Sequence, residues 1–206
     1  LGWRTFYAYN DEVLGNDSSS KSLGRSSYKE ILLTRYLKEA VFKFNNWMTD
    51  EIYEQIVKIL NTKVSSDSDI QNNEKNYQYF KDGIEVDVKD ENGNYIKRRA
   101  NLFDFAHPEE NNFLAVQEMK IWGEVYHRRA DIVGFVNGIP LLFVELKRDD
   151  VDIQEAYDNN YKDYRTTIPQ LFYYNAFIVF ANGPEAKIGT LESKYKFFHE
   201  WKRLSE

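Results

Sequence analysis

The chain contains no cysteine, which excludes disulfides, thiolate zinc sites and cysteine nucleophiles together. Its three histidines, His107, His127 and His199, are widely scattered and lack ligand-like spacing. An imidazole-based metal centre or a serine–histidine–aspartate triad therefore has no basis in the sequence. No apolar run approaches the roughly 20 residues that span a bilayer, and no signal peptide is visible. The expectation is a cytoplasmic protein without membrane contact. A Gly-x-x-x-x-Gly-Lys-Ser/Thr phosphate loop is also absent: Gly183 to Thr190 carries some of its letters in the wrong order, so these residues cannot supply ATP chemistry. Excess positive charge is missing as well. A net charge of −6 argues against a surface that grips DNA strongly by itself, because nonspecific affinity comes from neutralising phosphates and releasing counterions.

What is present suffices for one substantial core: 206 residues, 42% hydrophobic and 16% aromatic. The most informative stretch is Arg129 to Lys147. Asn137-Gly138 is a strong hairpin signal, since both residues tolerate the positive φ of a tight turn between twisted strands. Counting outward from that turn, Asp131 lies opposite Val144, Glu145 or Leu146 for a loop of two, three or four residues. Directly opposed residues have Cβ atoms roughly 4.5–5.5 Å apart, which suits two carboxylates sharing a hard divalent cation. Glu145 and Lys147 are two apart on a strand and so point to one face, with Leu146 pointing to the other. Glu145 can hold a metal where Lys147 orients or helps deprotonate an attacking water, and the Leu146 main-chain carbonyl offers another oxygen. On spacing alone, an incidental salt bridge at a strand end explains the same letters, because D…ExK matches arise often by chance. Burial shifts the balance. Ile132 to Val136 and Leu141 to Val144 are apolar on both faces, so the hairpin is expected to be central, where incidental charge is uncommon.

These residues resemble the amino-terminal nuclease domain of the restriction (motor) subunit of type I restriction–modification enzymes, within the PD-(D/E)xK superfamily. The resemblance extends over Gly2-Trp3, Ser27 to Leu33, Asn101 to Leu114 and Arg128-Arg129-Ala130-Asp131, and so covers essentially the whole chain. It implies a mixed α/β fold with a restriction-endonuclease-like core: a central mixed sheet, flanking helices and an added amino-terminal helical segment. A single domain is expected, with 1–95 as elaboration and 96–206 as catalytic core. The implied roles are Asp131 and Glu145 as Mg²⁺ ligands, with Leu146, and Lys147 as catalytic lysine. Double-stranded DNA is the implied substrate. Methylation and specificity subunits are the implied partners, and ATP is confined to helicase-like motor domains further along the complete subunit. Two departures stand out. Asn160 and Tyr164 occupy the spacing of a Gln-x-x-x-Tyr motif, with Gln154 too early to replace the glutamine. Tyr164 is then a candidate DNA contact or brace for the lysine, and Arg129 a candidate DNA contact. An acidic residue that many members contribute from an earlier helix is expected to lie outside a chain that starts at Leu1. Two other readings are a repair or resolvase-type nuclease of the same superfamily, and a docking domain that keeps the fold without the chemistry.

Elsewhere, Trp3 to Tyr9 predicts a short strand and Leu14 to Ser26 a mobile loop. Ser27 with Glu30 has the capping-box pattern for a helix bearing Leu33, Tyr36, Leu37, Ala40, Val41 and Phe44. Thr49 or Asp50 caps a second helix through Leu60. Ser65 to Glu74 reads as a polar break before a short helical segment near Tyr77. Ile84 to Val88 and Tyr95 onward form a hairpin around Asp90 to Asn94, a turn and not a calcium loop. Phe113 to Trp122 predicts a strand, and Asp152 with Glu155 starts a helix carrying Ile153, Tyr157, Tyr161 and Tyr164. Phe177 to Ala181 predicts a buried strand, with the aromatic tail from Tyr195 to Trp201 packed nearby. Of the basic clusters, Lys97-Arg98-Arg99 reads as solvated charge, while Arg128-Arg129 and Lys147-Arg148 flank the candidate site.

Overall fold

The computed structural model describes residues 2–15, 22–63 and 68–202. Along the chain come β1 (Arg4–Tyr7), α1 (Ala8–Asp11), α2 (Thr34–Phe44), α3 (Asp50–Asn61), α4 (Asp69–Asp82), β2 (Ile84–Lys89), β3 (Tyr95–Ala100), β4 (Phe113–Trp122), β5 (His127–Val136) and β6 (Ile139–Leu146). A π-helical stretch (Ala156–Tyr161) then runs into α5 (Lys162–Thr167), followed by β7 (Phe177–Ala181), β8 (Ala186–Gly189) and β9 (His199–Glu200). Seven strands form one sheet in the order β1-β4-β5-β6-β7-β8-β9, and β2-β3 is a separate hairpin. Because β1 runs parallel to β4 and β6 parallel to β7 while the other pairs are antiparallel, the sheet is mixed, and the fold is the mixed α/β class expected.

β5 and β6 lie in the middle of this sheet with a core on each side. Val133, Phe135 and Phe143 pack with Tyr161, Tyr164 and Phe172, whereas Ile139 joins Leu37, Val41, Ile52, Ile56 and Ile84 in a second cluster. Of the three loop lengths left open, their turn takes the two-residue one, with φ 52° at Asn137 and 80° at Gly138. It is buried, not solvated. Asn137 accepts from the Asn112 N–H at 2.8 Å and donates to the Leu102 carbonyl at 2.9 Å and to Asn111 Oδ1 at 2.8 Å, so its amide is satisfied away from water. Gly138 presses on the start of α2: the Leu33 N–H donates to its carbonyl at 2.9 Å.

Register is then changed by one residue. Val136 pairs with Ile139 and Phe135 with Pro140, but Gly134 pairs with Leu142, which leaves Leu141 as a bulge. Beyond it Ile132 faces Val144, so Asp131 falls opposite Glu145.

Helix α3 matches its expectation, with Thr49 accepting from the Ile52 N–H at 3.4 Å and Ile52, Tyr53, Ile56 and Leu60 buried. Three expectations need correction. Ser27 and Glu30 do not cap α2. Ser27 Oγ accepts locally from the Lys29 N–H, and Ile31 to Leu33 enter the core before the helix begins at Thr34. The capping box lies instead at Ser68 and Gln71, opening a 14-residue α4 where a polar break was expected; residues 64–67 lie outside the described set. That helix escapes an apolar pattern because its buried face carries amides: Asn73 donates to the Asn175 carbonyl and Asn76 to the Tyr173 carbonyl, both at 2.9 Å. The loop from Leu14 to Ser26 lies partly outside the described residues, but its described end is anchored rather than mobile. Arg25, fully buried, makes a bidentate pair with Glu12 at 2.8 and 2.6 Å and donates to the Lys120 carbonyl of β4 at 3.2 Å. Strands β8 and β9 have no counterpart in the sequence reading. Phe198 stacks on Phe180 with centroids 4.9 Å apart, as expected of the aromatic tail, whereas Phe197 and Trp201 are exposed.

A Cβ at Gly138 would meet the Leu33 carbonyl oxygen at 2.4 Å and the Leu37 nitrogen at 2.9 Å, in a backbone conformation that already disfavours side chains. Gly138→Ala is therefore expected to lower unfolding free energy by more than about 2 kcal/mol in urea melts. A change within about 0.5 kcal/mol would show that the turn does not depend on this contact.

Candidate functional site

The bulge brings two acidic side chains together at the carboxyl end of β6. Asp131 Oδ2 accepts from the Leu146 N–H at 2.7 Å, which ties the β5 carboxylate to the neighbouring strand. Glu145 is 2% exposed and, with Arg25, one of two buried charged residues among those described. Leu146 turns its side chain outward, as the two-residue period requires. Lys147 shares the face of Glu145: its Nζ lies 3.5 Å from Glu145 Oε1 and donates to Asn160 Oδ1 at 2.6 Å.

Burial, followed by the Asp131 charge, pushes the Glu145 carboxyl up to about 8; the nearby Lys147 ammonium opposes the shift without cancelling it. Glu145 Oε2 is buried and has no hydrogen-bond partner among the described residues. An orphaned buried oxygen beside a second carboxylate is costly to fold and calls for a physical reason. The donors are all hard oxygens. Among the described residues no group of three or more histidine, cysteine, aspartate or glutamate side chains converges as a metal cage. Two carboxylates with the Leu146 carbonyl could form only a partial shell for a hard ion such as Mg²⁺, which keeps several waters and takes substrate oxygens.

Glu118 is a neighbour that the sequence reading missed. It sits on β4 at the position facing Asp131, between the pairs Gln117–Ile132 and Met119–Ala130, with a φ of 56° rare for a residue with a side chain. Its carboxylate lies 2.6 Å from Arg129 Nε, and its charge contributes to the upward push on Glu145. A signal existed in the strand pattern: Val116 and Met119, three apart, are both buried, so the apolar alternation of β4 changes phase at Gln117-Glu118.

The other candidates separate by role. Asn160 holds the Lys147 amine despite its shorter reach. The buried Tyr164 hydroxyl donates to the Arg129 carbonyl at 2.9 Å and so fixes β5 two residues before Asp131, and its link to the lysine runs through Asn160. Burial and the Glu145 charge push that hydroxyl up to about 12, against the hydrogen bond from Asn160. Arg129 reaches the surface between Glu118 and the Tyr9 ring, 4.9 Å from the ring centre. Gln154 donates to Asp158 at 3.1 Å and lies away from the lysine's hydrogen bond.

The family described as the type I restriction enzyme R protein N terminus matches residues 1–197. The chain belongs to this family. The HindI endonuclease subunit of a type I restriction enzyme from Haemophilus influenzae is 30% identical over 210 residues, covering 100% of this chain and 19% of the relative. The SsaAORF53P endonuclease subunit of Staphylococcus saprophyticus is 24% identical over 140 residues, 68% of this chain and 14% of the relative. The SauCOLORF180P endonuclease subunit of Staphylococcus aureus strain COL is 35% identical over 79 residues, 38% of this chain and 8% of the relative. This R-subunit amino-terminal chain thus spans about a fifth or less of the length of these relatives. No helix among the described residues is long and apolar enough to cross a membrane.

The raised Glu145 carboxyl has a measurable consequence for the metal-free domain. A carboxyl whose folded pKa lies above its unfolded value of about 4.5 stabilises the fold fully below that value, and the contribution is lost as pH rises towards about 8. Metal-free chain should therefore lose stability between pH 5 and pH 8, and Glu145→Gln should flatten that loss by more than about 1 kcal/mol at the alkaline end. Parallel stability–pH profiles of the two proteins would contradict the burial of this charge.

Proposed function

We propose that this domain is the Mg²⁺-dependent nuclease of a type I restriction R subunit and hydrolyses phosphodiester bonds of double-stranded DNA. The observation that carries the reading is the buried Glu145, with its unpartnered oxygen, facing Asp131 and within 3.5 Å of the Lys147 amine. Asp131, Glu145 and the Leu146 carbonyl would hold the ion. When bound it supplies Lewis acidity towards the phosphate and lowers the pKa of a water in its shell. Lys147, restrained by Asn160 at 2.6 Å, directs its N–H bonds at the attacking water or a phosphoryl oxygen. Tyr164 keeps the Asp131 strand in place through the Arg129 carbonyl. Arg129, on the rim, offers a guanidinium edge to a flanking phosphate.

Family membership supports the R-subunit setting. In that setting ATP-driven motor domains further along the subunit would bring DNA to this site, with methylation and specificity subunits choosing the sequence in the bacterial or archaeal cytoplasm. Such a nuclease need not read bases, since phosphate contacts position without specifying.

The test uses the complete enzyme carrying Asp131→Ala or Lys147→Ala, with DNA cleavage and ATP hydrolysis followed in the same samples across a Mg²⁺ titration. Cleavage is expected to fall on the order of 100-fold or more while ATPase persists. Undiminished cleavage would remove these residues from the chemistry and leave a docking module as the better account.

A further inference from the structure

A groove of about 440 Å³, lined by Lys120, Trp122, His127, Arg128 and Arg129, runs along the β4–β5 ladder away from the carboxylates. Register places Lys120 opposite Arg129, two residues from Asp131, and Trp122 opposite His127 where the strands end. His127 is four residues from Asp131, or about 13 Å along a strand, the rise of roughly four stacked nucleotides. In a chain of net charge −6, three cationic side chains line this surface. Two of its charges are held by carboxylates: Arg129 by Glu118, and Arg128 by Asp163, with Nη2 to Oδ1 at 2.9 Å. Lys120 instead donates to the Tyr9 carbonyl at 3.3 Å and lies over the Tyr9 ring, 5.1 Å from its centre. At the far end the Trp122 and His127 rings stack face to face, centroids 4.4 Å apart and 19° from parallel. The indole remains 38% exposed.

We infer that this groove receives a single DNA strand with unpaired bases, its phosphates along Lys120 and Arg129 and one base stacked at Trp122. The inference rests on the nuclease reading, which places the scissile phosphate at Asp131. Cations serve any phosphate backbone, but an exposed flat aromatic stack adds affinity only where a base presents its face, and a paired duplex presents faces only at its ends. The chemistry therefore selects a frayed or unwound strand over intact duplex.

The complete subunit, metal-free so that nothing is cut, is irradiated with strands carrying 5-iododeoxyuridine, and crosslinked peptides are mapped. A single strand, a duplex with a single-stranded flank and a blunt duplex are compared. Crosslinks within residues 119–128 are expected from the first two and not from the blunt duplex. Trp122→Ala should reduce them about fivefold or more, with Trp122→Phe restoring most of the yield. Lys120→Ala should weaken them and reduce the salt slope by about 0.7. Equal crosslinking of blunt duplex, or a yield unchanged in Trp122→Ala, would overturn the inference. The two readings fail separately. Lost cleavage in Asp131→Ala with Trp122-independent crosslinking retains the nuclease and removes the strand groove, whereas Trp122-dependent crosslinking with normal cleavage in Asp131→Ala retains the groove and removes the nuclease.

Discussion

The pairing of Asp131 with Glu145 depends on one extra residue in β6. A two-residue turn followed by an unbroken ladder would set Asp131 opposite Val144, and a one-residue offset sends a side chain to the other face of a sheet. Glu145 would then face away from Asp131, and Lys147 with it. The bulge at Leu141 restores the register, and it is held from outside the hairpin: the Leu141 carbonyl accepts from the Ala176 N–H at 2.8 Å, in the segment leading to β7. Gly134, across from the bulge, has no room for a side chain, since a Cβ there would approach Leu142 at 2.9 Å and the Trp3 indole at 3.2 Å. Trp3, in turn, meets Phe113 edge-on at 5.3 Å. The candidate site is thus located by packing on both neighbouring sides of its hairpin, and neither contact involves a charged residue.

The same strands are anchored by buried polar groups at both ends of the sheet. Asn137 ties the hairpin turn to the 102–112 segment, and Arg25 with Glu12 ties the amino-terminal segment to β4. A buried ion pair seldom adds net stability over apolar packing, but losing one partner strands a charge. Both anchors are satisfied by several partners, which specifies one arrangement in a way that apolar contacts alone do not. Glu145 differs from them. Its second oxygen lacks a partner, and its nearest charged neighbours include two carboxylates as well as a lysine. That contrast sets the Asp131–Glu145 face apart from the two anchors: there a buried carboxyl stands beside other carboxylates without a full set of partners.

The hairpin and its three charged residues were legible because two rules act locally: Asn-Gly specifies the turn, and the period of two assigns faces. The register was not. Three loop lengths left three partners for Asp131, and the actual solution, a two-residue loop plus a bulge, is indistinguishable in an apolar run from a three-residue loop. The start of α2 was misread because Ile31 to Leu33, apolar and adjacent to a capping pattern, are used as an extended anchor against the turn. Helix α4 was hidden by a buried face of asparagines bonded to backbone carbonyls, to which hydrophobic periodicity is blind. Strands β8 and β9 comprise four and two residues, too few for any period to register.

Asn160 shows how backbone geometry can offset a side chain. Where the family resemblance leads to glutamine, this chain has one methylene fewer, yet the amide oxygen reaches Lys147 at 2.6 Å. Asn160 lies in the π-helical stretch, where the Lys162 N–H bonds to the Tyr157 carbonyl, five residues back. A turn closed at i→i+5 holds one residue more than an α turn and bows outward there, and such insertions recur at functional sites. The widened turn carries Asn160 towards the lysine while Tyr161, next in sequence, stays packed between Phe172 and Phe180. Tyr164, back in regular helix, keeps its bond to the Arg129 carbonyl. The helix thereby meets the Lys147 amine just past β6 through Asn160, within the widened turn, and the Arg129 carbonyl of β5 through Tyr164, beyond it.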